Sequence, residues 1–593
     1  MIFADGIEIL SKLKKKKLVT DTSVNIAEFL SGFEEDADRK KVVAAVSALL
    51  FEWISSGNIC ITKEVVEKFI NDDREIDFPD WEKIKNILSQ SRCCTLDPEN
   101  EQRPIVLADG KIYFYKYWLY EDSLAKKVWG LSKLPGKYAE KSLPITKVFT
   151  ELFKDQKSEG QKNAAEKAVK NRFSVITGGP GTGKTTTVAK IIAGILSVYP
   201  QERIVLAAPT GKAAMRMTES LLSKRTEEDM KGVVEEEIIR KIRSLEGKTI
   251  HKILEMKFGK PSKNREDPIN ADLVIIDEAS MVDIAMFSSL LDALSDTTSL
   301  ILLGDKDQLS SVDAGNVLSD ICNAAKDGLF ERDIIATLTE SHRFDEHPGI
   351  ERLAHAVNSK EAEADEIIRI CKEDPADLGF KELETKKEKK NGEIAEITAN
   401  AKEKYTFLSD TDLNPAEILG KLNDFKILCP SKEDTFGVEN VNREIETALE
   451  IDPSDVFYNG RPIMIIKNDY TNGLMNGDCG VILKRNGKTK AWFKQGEDIS
   501  SFAISELPAF ETVYAMTIHK SQGSEYDSVL VLLPERDMSM LTKELLYTAI
   551  TRARKKVEIV SSKEVLACTL QRSGSRNSGF ENALKRLDQS DEL

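Results

Sequence analysis

The residues Gly178-Gly179-Pro180-Gly181-Thr182-Gly183-Lys184-Thr185 carry the strongest chemical signal in the sequence. Glycines at this spacing let backbone N–H groups turn inward around an anion. A helix starting at the lysine adds the positive end of its dipole. Lys184 supplies a point charge for the β- and γ-phosphates of a nucleotide. The Thr185 hydroxyl supplies a ligand for Mg²⁺, and Thr186 continues the same first helical turn. A second signal is the apolar run Leu273-Val274-Ile275-Ile276, which ends in Asp277-Glu278. A buried strand brings both carboxylates to its C-terminal end, where α/β sheets bind ligands. There Asp277 is placed to hold Mg²⁺ through its water shell, and Glu278 to orient and deprotonate an attacking water. The two signals together describe hydrolysis of a nucleoside triphosphate.

Such groups need a parallel sheet to hold them, and the surrounding pattern predicts one. Short β-branched or apolar runs at 173–177, 203–208, 272–276, 299–303, 424–429, 528–533 and 557–561 alternate with helical stretches. Strands that are apolar on both sides imply a parallel sheet covered by helices on both faces. The fold class is therefore α/β, with one motor-sized block over 141–345 and a second over 346–593. Residues 1–140 read as a separate, mostly helical region. Its helix over 38–54 is amphipathic, its lysine run 14–17 is a solvated helix face, and its aromatic-rich segment 111–120 is an exposed strand pair. A charged stretch at 372–404, with Lys386-Lys387-Glu388-Lys389-Lys390 inside it, predicts a surface insertion or mobile loop that buries little.

Composition restricts the class without naming the activity. The chain has 593 residues, 41% hydrophobic and 31% charged, with a net charge of −15. That length exceeds one core, and no uncharged run reaches the length of a membrane span. The N-terminal MIFADGIEIL lacks the positive region of a signal peptide. The eight cysteines are scattered, with no paired C-x-x-C, so a reducing, cytoplasmic setting is expected and no membrane partner. The acidic balance disfavours extended non-specific binding to duplex DNA but allows a basic groove on an acidic body.

Further segments appear in a fixed order, and together they resemble the superfamily 1 helicases, in particular the RecD family (exodeoxyribonuclease V alpha subunits). They are Gln161 in GQKNAA, Pro209-Thr210-Gly211-Lys212, Thr249-Ile250-His251, Gly304-Asp305-Lys306-Asp307-Gln308, Ser341-His342-Arg343-Phe344, Thr517-Ile518-His519-Lys520-Ser521-Gln522-Gly523-Ser524-Glu525 and Leu546-Tyr547-Thr548-Ala549-Ile550-Thr551-Arg552. The resemblance covers about 161–554 and is weaker before it. It implies two RecA-like P-loop motor domains with ATP and Mg²⁺ between them. Gln161 would read the adenine, Gln308 would sense the γ-phosphate, and Glu525 would touch the ribose. Arg343 and Arg552 would cross the cleft to the transferring phosphate. Pro209, Thr210, His251, Thr517 and His519 would lie along single-stranded DNA.

The same resemblance implies a 5′-to-3′ DNA helicase working at duplex ends in a heterotrimer with RecB-like and RecC-like subunits, the nuclease lying in a partner. Residues 1–140 would dock the motor to those partners. The polar segment 255–270, with Gly and Pro turn signals, would form the pin that splits the duplex. The strand–turn–strand pattern within 458–510 would form a small inserted β-barrel. A stand-alone helicase of the same family, an RNA helicase and a nucleotide-binding regulatory subunit remain alternatives. Retention of Glu278, Gln308, Arg343 and Arg552 disfavours the last.

Overall fold

The structure is a computed structural model and describes residues 8–72, 76–155, 158–341, 347–383, 390–410, 412–469, 471–496 and 498–591. Helices Glu8–Lys15, Asp21–Ser31, Ala37–Ser55, Lys63–Asp72 and Trp81–Leu88 come first. The third is buried on every side from Val42 to Leu50 and forms the centre of this region. Strands β1 (Cys94–Thr95), β2 (Ile105–Ala108) and β3 (Lys111–Phe114) follow as a small sheet. The aromatic segment departs from the exposed strand pair expected of it. β3 ends at Phe114, and Tyr115, Tyr117, Trp118 and Tyr120 lie on the helix Tyr115–Lys133. Tyr113 and Trp118 are buried, and the other rings pack partly buried against the same cores. Their spacing fits one face of a helix as well as it fits a strand, and the sheet takes only the first two of them, Tyr113 and Phe114.

One hydrophobic cluster joins Trp118 and Trp129 of that helix to Phe173, Phe287 and Leu300 of the next unit. That unit is a six-stranded sheet of β4 (Phe173–Gly178), β5 (Ile204–Ala208), β6 (Gly247–Thr249), β7 (Leu273–Ile276), β8 (Ser299–Gly304) and β9 (Ile335–Leu338). The order is β6-β5-β7-β8-β4-β9 and every pairing is parallel. Strands β4, β7 and β8 are buried at every residue, the property that their apolar runs predict.

The second parallel sheet contains β10 (Leu378–Glu382), β11 (Phe425–Cys429), β17 (Ala515–Thr517), β18 (Tyr526–Leu532) and β19 (Ala553–Ser561), in the order β10-β19-β18-β11-β17. Between β11 and β17 the chain builds a five-stranded antiparallel sheet from β12 (Arg461–Ile465), β13 (Cys479–Arg485), β14 (Lys488–Gln495), β15 (Asp498–Ala503) and β16 (Phe510–Thr512). It has its own small core around Ile463, Ile482 and Phe493.

The charged stretch 372–404 is more ordered than its composition suggests. It contributes the edge strand β10, paired to β19, and the helix Lys390–Lys402, which buries Ile394, Ile397 and Thr398. Three apolar or small positions a turn apart are enough to seat a helix, and they are diluted in a window count by the charges between them. Residues 386–389 of the lysine run lie outside the described residues. No helix among the described residues is long and apolar enough to cross a membrane.

After the helix Lys563–Gln571 the chain leaves the second sheet and returns to the first. The Arg576 guanidinium donates to the carbonyl of Gly315 at 2.8 Å, to Ser311 Oγ at 3.2 Å and to the carbonyls of Ser311 and Asp313. Gly57, at φ +92°, admits this side chain, since a Cβ there would lie 2.5 Å from the guanidinium carbon. The final helix Phe580–Asp591 packs on Tyr115–Lys133. Its start is fixed by buried Glu121, which accepts from Gly579 N–H at 2.7 Å and from the Tyr113 hydroxyl at 3.1 Å.

Burial is the largest influence on the Glu121 carboxyl and pushes its pKa up to about 7. The folded state therefore holds this proton more tightly than the unfolded state does. The stability contribution of the group is fully present below the ordinary carboxylate pKa, falls as pH rises, and is lost above about 7. Glu121→Gln is expected to flatten the fall in chemical-denaturation stability between roughly pH 4.5 and 7. An unchanged slope across that window would contradict a protonated, buried Glu121.

Candidate nucleotide cleft and nucleic-acid face

Because the first sheet is parallel throughout, the residues that follow its strands gather on one edge. The phosphate loop follows β4, Pro209 and Thr210 follow β5, and His251 follows β6. Asp277 and Glu278 follow β7, and Asp305 and Gln308 follow β8.

In the loop, Gly181 and Gly183 adopt φ of +79° and +80°, a turn closed to ordinary side chains. A Cβ on Gly183 would lie 2.3 Å from Gln161 Nε2. That amide donates to the Thr182 carbonyl at 3.1 Å, so Gln161 braces the loop from the helix Glu159–Lys170. Lys184 Nζ donates to the carbonyls of Gly178 at 2.6 Å and Gly179 at 3.0 Å, which holds the ammonium over the loop. Thr185 and Thr186 stand on the first turn of the helix Lys184–Val198 and face the same space.

Asp277 Oδ1 accepts from Glu278 N–H at 2.8 Å. Burial raises the Asp277 pKa, the neighbouring Glu278 raises it further, and Lys184 and Arg216 oppose the shift. Glu278 itself adopts φ +52°, ψ +41°. That left-handed conformation costs a residue with a side chain roughly 1–2 kcal/mol. Here it turns the Glu278 carboxylate into the cleft beside Asp277.

The second sheet supplies the opposite wall from the starting edge of two strands. Glu525 precedes β18 and Arg552 precedes β19, and the two are held in step by Tyr526 N–H donating to the Arg552 carbonyl at 2.9 Å. Arg552 is buried, and its guanidinium donates to the carbonyls of Thr548 at 3.0 Å and Ser524 at 3.3 Å. Between the walls lies a cleft of about 1070 Å³ lined by Gln161, Lys184, Thr185, Asp277, Glu278, Gln308, Glu525 and Arg552. Its glycine turn, the Lys184 ammonium, the threonine hydroxyl and the paired carboxylates match the groups that a triphosphate and Mg²⁺ require. Arg343 lies outside the described residues. Ser341, just before it, donates to the Pro180 carbonyl at 3.2 Å.

The expected nucleic-acid residues separate into two places. Pro209, Thr210 and His251 line one groove of about 170 Å³ together with Gln522 of the second sheet. Thr517 lines a different depression, with Asn442 and Glu511. His519 is half-buried, and burial followed by the Arg576 charge lowers its pKa, which favours a neutral imidazole.

Within the segment 255–270, Lys257 and Lys260 exchange backbone hydrogen bonds of 2.8 and 3.0 Å around Phe258 and Gly259. Both turn residues have positive φ, +50° and +76°, as a two-residue hairpin turn requires. The Phe258 ring at the tip is fully exposed. Residues 260–267 form no strand. Asn264 Oδ1 instead caps a turn by accepting from Glu266 N–H at 2.8 Å and Asp267 N–H at 3.1 Å.

Sequence patterns alone gave no role to three residues in and beside the cleft. Arg216 sits one helical turn after Lys212, and the two reach across to consecutive residues. Lys212 Nζ donates to Ser524 Oγ at 2.6 Å, and Arg216 pairs with Glu525 at 3.7 Å. The i, i+4 spacing was the available signal. Asp305 and Tyr547 meet across the cleft at 3.0 Å, and nothing local in either segment announces that contact.

Comparison with known proteins agrees with this architecture. Residues 161–314 match the AAA domain family, and residues 512–560 match the UvrD-like helicase C-terminal domain family. The RecBCD enzyme subunit RecD of Mycolicibacterium smegmatis is 32% identical, covering 96% of this chain and 98% of its own. Its Haemophilus influenzae counterpart is 30% identical, covering 98% and 100%. The ATP-dependent RecD2 DNA helicase of Deinococcus radiodurans is 30% identical over 67% of this chain and 48% of its own. Among solved structures, Pif1 helicase from Candida albicans aligns with 72% of this chain and 99% of its own at 16% identity, with a TM-score of 0.39, too loose a likeness to argue from. Matched almost from end to end by relatives at this level of identity, the chain belongs to the RecD family of ATP-dependent superfamily 1 DNA helicases.

Proposed function

We propose that this chain hydrolyses ATP to move 5′ to 3′ along single-stranded DNA, as the motor of a RecBCD-type helicase–nuclease that acts at duplex ends. The division of one hydrolytic set between two sheets carries this reading. Lys184, Asp277, Glu278 and Gln308 stand on the first sheet, and Glu525 and Arg552 on the second. A triphosphate bound between them joins the two walls, and its hydrolysis lets them part.

In this scheme Lys184 and the loop N–H groups hold the β- and γ-phosphates. The Thr185 hydroxyl and Asp277 would hold Mg²⁺, which supplies charge neutralisation on the phosphate oxygens. Glu278 orients the attacking water and accepts its proton. Arg552 stabilises charge developing on the transferring phosphoryl group, a contribution on the order of 10³–10⁵ in rate for an arginine so placed. Gln308 senses the γ-phosphate, and Arg343 is assigned a second cross-cleft contact on resemblance alone. Gln161, besides bracing the loop, faces the adenine side.

Single-stranded DNA is assigned to the groove of Pro209, Thr210 and His251, continuing toward Thr517 and His519. Phe258 is the wedge at the fork, presented at the tip of a two-residue turn. The five-stranded insert of the second motor domain is read as a small barrel. RecB-like and RecC-like partners are proposed from the names of the relatives, with nuclease activity residing in a partner. The N-terminal region is proposed to dock the motor to them. It offers Phe29 and Phe33, exposed and packed edge to face at 5.2 Å, and aromatic pairs of this kind are favoured at interfaces.

Glu278→Gln is expected to keep ATP affinity within about threefold while DNA-stimulated hydrolysis falls by roughly 10²–10⁴, the usual reach of a general base. A normal turnover rate in this variant would remove Glu278 from that role. Phe258→Ala should leave DNA-stimulated ATPase near wild type and slow strand separation of a forked duplex. Equal unwinding would return the hairpin to a plain connector. Affinity purification of the full chain from its native cells should bring RecB-like and RecC-like subunits and exonuclease activity with it. Phe29→Ala/Phe33→Ala should weaken that recovery, and purification of the wild-type chain alone would sink the complex assignment.

A further inference from the structure

The loop that carries Gln308 is held from the second motor domain at three points. Leu309, the next residue, donates its N–H to Thr548 Oγ1 at 2.9 Å and accepts from Gln522 Nε2 at 3.1 Å. The third point is Asp305. Its Oδ1 accepts from Asp307 N–H at 3.1 Å within the loop. Its Oδ2 is shared: Gln308 Nε2 donates to it at 2.9 Å from the first domain, and the Tyr547 hydroxyl donates to it at 3.0 Å from the second. Both Asp305 and Tyr547 are almost completely buried. The carbonyl of Thr548, beside Tyr547, receives the Arg552 guanidinium at 3.0 Å. The glutamine of one wall and the arginine of the other are thus linked through hydrogen bonds to Asp305 and Thr548 and the backbone that joins Tyr547 to Thr548.

We propose that Tyr547 is a positioning residue that makes the γ-phosphate response of Gln308 conditional on closure of the second domain, acting through the shared oxygen of Asp305. The proposal rests on reading Gln308 as the γ-phosphate sensor. A buried carboxylate oxygen stripped of its donors bears a large desolvation penalty. Gln308 can leave Asp305 Oδ2 for a phosphate oxygen only while Tyr547 remains to satisfy that oxygen. When the second domain withdraws and takes the phenol with it, Asp305 retains Gln308. The amide is then held away from the triphosphate, and hydrolysis waits for closure. Tyr547 and Thr548 share the helix Lys543–Ile550 of the second domain, so their contacts to Asp305 and Leu309 part together when that domain moves, and the Gln522 contact, made from outside that helix, parts with them. The exchange therefore responds to domain movement and not to independent motion of the loop.

Tyr547→Phe tests this with the ring, and so the packing, retained. Steady-state ATPase with and without oligo(dT), and the melting temperature, would be measured for wild type, Tyr547→Phe, Gln308→Ala and the double variant. Tyr547→Phe is expected to lose roughly tenfold in DNA-stimulated kcat with ATP KM within about threefold and an unchanged melting temperature. Gln308→Ala should lose a similar factor. The double variant should lose no more than the worse single, because both act through one link. A Tyr547→Phe enzyme within twofold of wild type would show that only the ring matters and would overturn the proposal, as would a double variant whose loss equals the product of the two singles. If Gln308→Ala hydrolyses ATP normally, the sensor reading itself fails, a result separable from failure of the Tyr547 link.

Discussion

All six strands of the first sheet run in one direction, and this constraint organises everything around the cleft. In a parallel sheet every strand end of one kind lies on the same edge. Groups separated by more than 140 residues, from Gln161 to Gln308, are thereby brought into one space without any local signal of proximity. The sheet also explains the cost accepted at its edge. Glu278 is held in a left-handed conformation because β7 is fixed by β5 and β8 on either side, and the carboxylate must still turn into the cleft. A buried strand can impose that strain because it is stabilised over its whole length.

The second sheet meets this edge with the opposite ends of its strands, presenting Glu525 and Arg552 from the starts of β18 and β19. Contacts across the cleft are mostly polar and directional: Lys212 to Ser524, Arg216 to Glu525, Tyr547 to Asp305, and Gln522 and Thr548 to the backbone of Leu309. The Arg216–Glu525 contact is an ion pair at 3.7 Å, and each of the hydrogen bonds is worth about 1 kcal/mol net and is sensitive to small displacements. A motor needs walls that part and rejoin, and a polar seam permits this where a continuous apolar core would not.

The C-terminal return around Arg576 ties the end of the second sheet's chain to the first sheet. It leaves the second sheet, fastens to the loop 311–315 of the first, and ends on the helix that carries Trp118. The N-terminal region, the first sheet and the last helix share one hydrophobic cluster and pack as one body. Arg576 also adds positive charge near His519, a residue proposed to lie along single-stranded DNA, and contributes to its lowered pKa.

The phosphate loop and the carboxylate pair were legible in the sequence because their chemistry is local. Glycines at φ +79° and +80°, an ammonium and a following helix are specified by eight consecutive residues, and Asp277-Glu278 by the apolar run that precedes them. The parallel strands were legible for the same reason, since a strand buried on both faces must be apolar throughout. The aromatic segment was not, because Tyr113 to Tyr120 satisfies a strand and a helix equally until the core chooses. Nor was the charged stretch, whose few buried positions are visible only once β19 and the helix Val438–Ala448 are there to receive them. The sequence by itself determined which groups could bind phosphate and move a proton. Only the tertiary structure decided which partners they face, since whether Asp305 meets Tyr547, or Arg216 meets Glu525, depends on how two separately folded sheets are set against each other, and no run of neighbouring residues encodes that distance.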